Sequence, residues 1–412
     1  PPPPHGPRRE TMRYFIPFLI VLFALAVLLR VDFFFTVAYF LFGLWVLARL
    51  WTRSAVDHLR AGRRFGDHAF TGDTVEVELT LRNTGWLPLP WLEVGEGLPV
   101  QLQTTPFQRR VVSLAPHEEQ RFRYDLTCRQ RGYYAVGPLT ARTGDVLGVT
   151  QRDLMLVETQ HLTVYPRIVP LRRLALPTRS PLAVLPARAP LFEDPARLMG
   201  VREYQRGDSP RRIHWPATAR TSRLVVKQYQ PAIARETLIC LDLFQDDYSR
   251  QRRYDATELA IVAAASLANH ILVSEGLPVG LATVALDPLT GSRARFALPP
   301  RRERAHLIHL LEILARVQFT PGDADGADGA ETAFVDLVRR QSLDLTWGAT
   351  LVLITGRAAP DLAHILLHLQ RSGFAVTLLL MQPDRGPDGA ALTGVPGVPV
   401  REVWSERDLE AV

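Results

Sequence analysis

The chain has 412 residues, with 48 basic and 42 acidic side chains, a formal charge of +6 and a pI near 9.6. At about 100–200 residues per domain, that length predicts two or three folded units. The basic residues are almost all arginine, with lysine confined to Lys227, and they are scattered without interleaved aromatics, which argues against a nucleic-acid partner.

Cys128 and Cys240 lie far apart in apolar, strand-like runs, and neither belongs to a C-x-x-C pair. A disulfide framework and a zinc site are therefore excluded, and buried free thiols are expected.

Residues 1–13, headed by four prolines, read as a disordered tail. Residues 14–51 read as a two-helix transmembrane hairpin. The run 14–29 carries no charge and only Pro17 as a breaker, and the run 31–50 has Asp32 at one edge and Arg49 at the other. Each approaches the ~20 residues that cross a hydrocarbon core, where proline is tolerated. A signal peptide is a poorer reading, because no small-residue cleavage site follows the first run and a second apolar run begins at once. Arg8, Arg9 and Arg13 precede the hairpin and Arg49, Arg53, Arg60, Arg63 and Arg64 follow it, whereas its turn holds only Arg30 offset by Asp32. The positive-inside rule then places both termini and the soluble domains in the cytoplasm. Tyr14, Trp45 and Trp51 suit the two interfaces.

Residues 65–166 are expected to form an antiparallel β-sandwich. Val75, Val77, Leu79 and Leu81 alternate with polar residues, the two-residue period of a half-buried strand, and Asn83-Thr84-Gly85 ends it. Phe122, Tyr124, Leu126 and Cys128 alternate likewise, and residues 133–140 supply a further strand. Seven prolines fall from Pro166 to Pro195, and residues 167–199 read as a Pro-rich linker with little regular structure. From residue 236 the period changes. Apolar runs at 237–243, 278–284, 349–354, 374–380 and 398–403 alternate with helical stretches at 257–273, 301–317, 331–341 and 361–371, so 236–412 is expected to be a doubly wound α/β domain.

The densest polar segment lies between, at 200–235. It carries Arg202, Glu203, Tyr204, Asp208, Arg211, Arg212, His214, Trp215, Arg220 and Lys227, with a turn by composition at 207–210. One reading makes Asp208 or Glu203 a base and His214 its acid–base partner. The other is a network of charge-assisted hydrogen bonds, anchored by Trp215, that pins or docks the segment.

Here the run Arg202-Glu203-Tyr204, Gly207-Asp208, Arg211, Ile213-His214-Trp215, Ala219-Arg220, ending in a strand with Lys227, closely resembles the signature of the bacterial domain of unknown function 58 family. The two-helix anchor, Phe70-x-Gly72-Asp73, Arg131-Gly132-Tyr133 and Gly137-Pro138 are similar to such proteins too, so the resemblance covers nearly the whole chain. It implies a von Willebrand factor type A-like C-terminal domain, a bacterial inner (plasma) membrane location and partnership with MoxR-type AAA+ ATPases.

The type A comparison makes a specific demand on the residues. A metal-ion-dependent adhesion site begins D-x-S-x-S, because two hydroxyls and a carboxylate offer hard oxygens to Mg²⁺. Asp242 is in place, but Phe244 and Asp246 hold the hydroxyl positions, and the loop expected to bring another aspartate reads Thr355-Gly356-Arg357. Asp242, Asp246 and Asp247 are the remaining candidates for a cation, and a degenerate, metal-free site with no cofactor is the expectation. The acidic run 323–329 fails the calcium-loop pattern, with Phe334 where a bidentate Glu belongs. No P-loop, G-x-S-x-G elbow or HExxH motif is present.

The preferred expectation is a membrane-tethered, non-enzymatic scaffold or adaptor for a MoxR-type ATPase, acting in assembly or maturation of protein complexes. The alternatives are a hydrolase or metal-dependent enzyme centred on Asp208, His214 and Asp242, and a metal-dependent adhesion domain.

Overall fold

The computed structural model describes residues 10–29, 32–104, 109–144, 151–171, 193–205, 210–231, 236–320, 327–357, 360–383 and 397–411. The chain divides into two compact units, 1–167 and 168–412.

The first unit opens with α1 (Glu10–Leu29) and α2 (Asp32–Asp57). The two helices pack on each other, with Phe23 and Phe35 edge to face at 5.8 Å. Their outward side chains are large and apolar: Phe18, Ile20, Phe33 and Leu47 are exposed, and Phe40 is 68% exposed. An apolar surface of this extent needs an apolar surrounding. In α2 the most apolar stretch is long enough to cross a membrane and is only 6% buried. The helix does not stop at residue 51. Its last turns enter the sandwich, where Thr52 and Ala55 are buried and the Trp51 indole donates to the Pro88 carbonyl at 3.1 Å.

The sandwich strands are β1 (Leu59–Arg64), β2 (His68–Phe70), β3 (Thr74–Asn83), β4 (Leu89–Glu96), β5 (Leu102–Thr104) and β6 (Arg109–Leu114). They continue with β7 (Glu119–Cys128), β8 (Gly132–Val136), β9 (Leu139–Gly144), β10 (Gln151–Val157) and β11 (Gln160–Tyr165). Three sheets form, in the orders β1-β3-β7-β5, β10-β9-β4-β6 and β2-β11-β8. Val75, Val77, Leu79 and Leu81 point into one core with Tyr124, Leu126 and Cys128. Two expectations need correction. The stretch 133–140 is two strands, because Gly137 turns the chain at φ +105° before Pro138. The sandwich is also not wholly antiparallel, since β2 pairs with β11 in parallel.

One polar cluster interrupts this core. The Arg63 guanidinium, fully buried, lies 2.5 Å from the Glu96 carboxylate and donates to the Glu158 carbonyl at 2.8 Å and to Gln160 at 3.0 Å. Tyr124 donates to the same Glu96, and burial followed by that carboxylate pushes its phenol pKa well up.

The second unit begins with the antiparallel pair β12 (Glu193–Glu203) and β13 (Val225–Pro231), joined through the short helix α3 (Trp215–Thr221). Strand β12 starts inside the span expected to be a linker, of which 172–192 lies outside the described residues.

A six-stranded sheet follows. Its strands are β14 (Thr237–Leu241), β15 (Val279–Asp287), β16 (Ser292–Arg301), β17 (Thr350–Thr355), β18 (Ala375–Met381) and β19 (Val400–Val403). The helices are α4 (Arg253–Asn269), α5 (Arg304–Arg316), α6 (Ala327–Ser342), α7 (Pro360–Arg371) and α8 (Glu406–Ala411), and a single π turn extends α4 over His270–Ser274. The order is β16-β15-β14-β17-β18-β19, parallel throughout except for β16. Helices α6 and α7 pack on Leu238, Cys240, Leu351, Leu353 and Leu378. The alanines of α4 allow close approach to β14, β17 and β18, and most of that helix is buried. Winding starts at β14, runs outward through β15 and β16, then resumes on the other side at β17. The reversal leaves a switch point between the C-terminal ends of β14 and β17.

Candidate functional site

Asp242 stands one residue past β14 and Thr355 closes β17, so the topology sets them side by side at the switch point. Asp242 is 1% exposed. Its Oδ1 accepts the Phe244 amide at 3.0 Å and its Oδ2 accepts the Thr355 hydroxyl at 2.7 Å. The Tyr248 hydroxyl, also buried, donates to the Asp242 carbonyl at 2.6 Å. A 3₁₀ turn over Gln245–Asp247 brings Asp247, 8% exposed, to Asp242 and leaves Asp246 in solvent. Of the two aspartates considered beside Asp242, the turn brings Asp247 to it and leaves Asp246 outside. Arg357 reaches in from the β17 loop, with its guanidinium 3.6 Å from Asp247.

Burial and the Asp247 charge both push the Asp242 carboxyl well above the usual range. Burial raises Asp247 as well, but its hydrogen bond to Asp242 and the Arg357 charge oppose that rise. The pair therefore retains a proton above the ordinary carboxylate range, and the Arg357 guanidinium favours negative charge on Asp247. Gly356 makes the closure possible. A Cβ there would overlap the Tyr248 ring and lie 2.6 Å from the Asp247 carbonyl.

These residues do not fit a divalent cation. Both Asp242 oxygens are engaged by internal donors, Phe244 replaces a hydroxyl ligand, and a guanidinium occupies the electrostatic role that a metal would take. Among the described residues no group of three or more His, Cys, Asp and Glu side chains is placed to hold a metal. Cys240, on β14, is fully buried, and burial pushes its thiol up to about 12; Cys128 is raised to about 11.

The signature segment is built differently. Arg202 pairs across the hairpin with Val226, Val201 with Lys227 and Glu203 with Val225. Val225 and Val226 are buried, while Glu203, Arg212 and Arg220 are exposed and Arg202, Tyr204 and Lys227 are half-buried. Glu203 pairs with Arg223 at 2.8 Å in solvent. His214 is the N-cap of α3: its Nδ1 accepts the Ala217 amide at 3.0 Å, which fixes the proton on Nε2 in the neutral ring. Pro216 follows in the first turn. Trp215, the apolar anchor of the pinning or docking reading, is 64% exposed.

Gly207 and Asp208 lie outside the described residues, as does the side chain of Arg211. Of the trio Asp208, His214 and Asp242, the two described members have separate tasks, His214 capping a helix and Asp242 closing the sheet edge. Sequence reasoning passed over Thr355 and Tyr248. Thr355 stood where an aspartate was sought, and no local signal marks Tyr248.

Residues 200–382 match the family described as Protein of unknown function DUF58. The chain is similar to the uncharacterized protein YeaD of Bacillus subtilis (strain 168), with 24% identity over 316 residues covering 75% of this chain and 72% of YeaD. Among solved structures, the CARDB domain of the PF1109 protein from Pyrococcus furiosus matches 26% of this chain and 91% of its own, at 22% identity and a TM-score of 0.21. The cohesin module of a Clostridium perfringens family 33 glycoside hydrolase matches 26% and 98%, at 14% identity and a TM-score of 0.21. Both structural similarities are too weak to assign a fold or a function.

Proposed function

Since residues 200–382 match the family of unknown function DUF58, we propose that the chain is a membrane-anchored, non-enzymatic adaptor for a MoxR-type AAA+ ATPase in the assembly or maturation of protein complexes. One contrast carries this reading. The acidic pair at the switch point, where an α/β enzyme would place its ligand, is filled by Thr355, Tyr248 and Arg357, while the signature segment leaves Trp215 and several arginines in solvent. Chemistry needs an accessible group; docking needs an exposed one.

The anchor is the α1–α2 hairpin, read as two membrane spans from its outward phenylalanines and leucines. Arg49 and Arg53 towards the end of α2, and Arg60 and Arg64 after it, are exposed and support a cytoplasmic placement of the folded units. Arg63 is buried in the sandwich and takes no part in the folded protein's surface charge. The winding order of the six-stranded sheet, with one antiparallel edge, supports the type A-like reading of the second unit. The ATPase itself comes from the family resemblance.

The test is co-purification of the full chain from detergent with a MoxR-type ATPase held in its ATP-bound state. Stoichiometric recovery is expected. Absence of the ATPase under those conditions, with the chain folded, counts against the proposal.

A further inference from the structure

The basic residues are dispersed, but their excess is local. The 29 residues 200–228 hold seven basic and two acidic side chains, a net of +5 against +6 for the whole chain. On α3, helical spacing sets two exposed rows beside each other, Trp215 with Ala219 and Pro216 with Arg220. The small Ala219 leaves the flank of the indole open. Arg212, just before the helix, and Arg223, just after it, are exposed as well.

Tryptophan and arginine are the residue types that dominate binding at protein interfaces, and guanidinium forks match carboxylates. We infer that this face docks an acidic segment of a partner protein, with an apolar socket taking Trp215 and carboxylates pairing with Arg220 and Arg212. The inference rests on the adaptor reading and adds the chemistry of the partner's surface. An anionic lipid surface is a poorer match, because membrane-surface helices present a continuous apolar face and α3 has seven residues, none of them buried against the protein and only one a large apolar side chain. Nucleic acid would call for a stacking platform of several aromatics.

The detergent-solubilised full chain is titrated with a labelled glutamate–leucine copolymer, a glutamine–leucine copolymer, phosphatidylglycerol vesicles and single-stranded DNA. Salt-sensitive binding of the glutamate copolymer alone is expected. Trp215→Ala and Arg220→Glu should each weaken it about tenfold or more, and Trp215→Phe should retain most of it. Far-UV circular dichroism, with Arg220→Gln as a milder variant, separates lost binding from lost fold. The inference is overturned if the variants bind the copolymer like the parent, or if vesicles or DNA bind more tightly with the same residue dependence. Equal recovery of the ATPase by the parent and Trp215→Ala sinks this inference and leaves the adaptor reading intact. Recovery by neither, with copolymer binding still dependent on Trp215, sinks the adaptor reading instead.

Discussion

The Thr355 hydroxyl donates to the Asp242 carboxylate at 2.7 Å, tying together the C-terminal ends of two adjacent parallel strands. With Asp247, Tyr248 and Arg357 this bond closes the switch point of the sheet from within. A buried carboxyl whose two oxygens are engaged by internal donors is a structural group, and its variants should behave as such.

Asp242→Asn should cost about 1 kcal/mol or less in stability, because the amide is neutral like the protonated carboxyl and can still accept the Phe244 amide. Thr355 would then turn from donor to acceptor. Asp242→Ala leaves the Thr355 hydroxyl and the Phe244 amide without an acceptor, at about 1–3 kcal/mol for each orphaned group. Urea unfolding separates the two variants, and equal losses would contradict the upward shift of the Asp242 carboxyl.

Stability should also carry a pH signature opposite to the common carboxylate one. The folded Asp242 carboxyl titrates above its ordinary 3.8, so between that value and its own raised pKa the folded state holds a proton that the unfolded state has released. Its contribution is full below 3.8 and is lost as pH rises through the folded pKa. Asp247 shifts in the same direction, though Arg357 opposes the shift. Urea midpoints of the parent should fall across this window relative to those of Asp242→Asn. Parallel curves would remove the proton from Asp242.

Gly356→Ala should destabilise the second unit by about 1–3 kcal/mol or more. The added methyl meets the Asp247 carbonyl at 2.6 Å, and that backbone atom has no rotamer to escape into. Thermal unfolding reads the loss, and a variant as stable as the parent would mean that the loop packs more loosely than described.

In the sandwich, Arg63→Met strands Glu96 as a buried charge and should cost about 3–5 kcal/mol. Adding Glu96→Gln removes that charge while keeping an acceptor for Tyr124, so the double variant should recover most of the loss. A double variant no better than the single one would show that the ion pair itself, beyond avoidance of an unpaired charge, holds these strands.

Much of the architecture was legible because burial leaves a period. Val75 to Leu81 alternate since one face of β3 is buried, and the continuous apolar runs of β14, β17 and β18 reflect strands buried on both faces. Strand β16 escaped notice because Arg293, Arg295 and Pro299-Pro300 suit only an edge, where exposure tolerates charge and missing donors. Asp242 was legible from its place after β14. Asp246 and Asp247 were both candidates beside it, and what decides between them is a 3₁₀ turn, which rotates successive side chains by about 120° and so buries Asp247 while leaving Asp246 in solvent. His214 resembled an acid–base group in sequence, whereas Pro216 two residues on was the overlooked sign of a helix start needing a cap.

Side-by-side recovery of a MoxR-type ATPase by the parent chain, Asp242→Asn and Trp215→Ala tests the central claim most directly. The account expects the ATPase with the parent and Asp242→Asn alike, and a strong loss with Trp215→Ala. Recovery that depends on Asp242 and ignores Trp215 would contradict it, moving the working site from the exposed signature to the closed edge of the sheet.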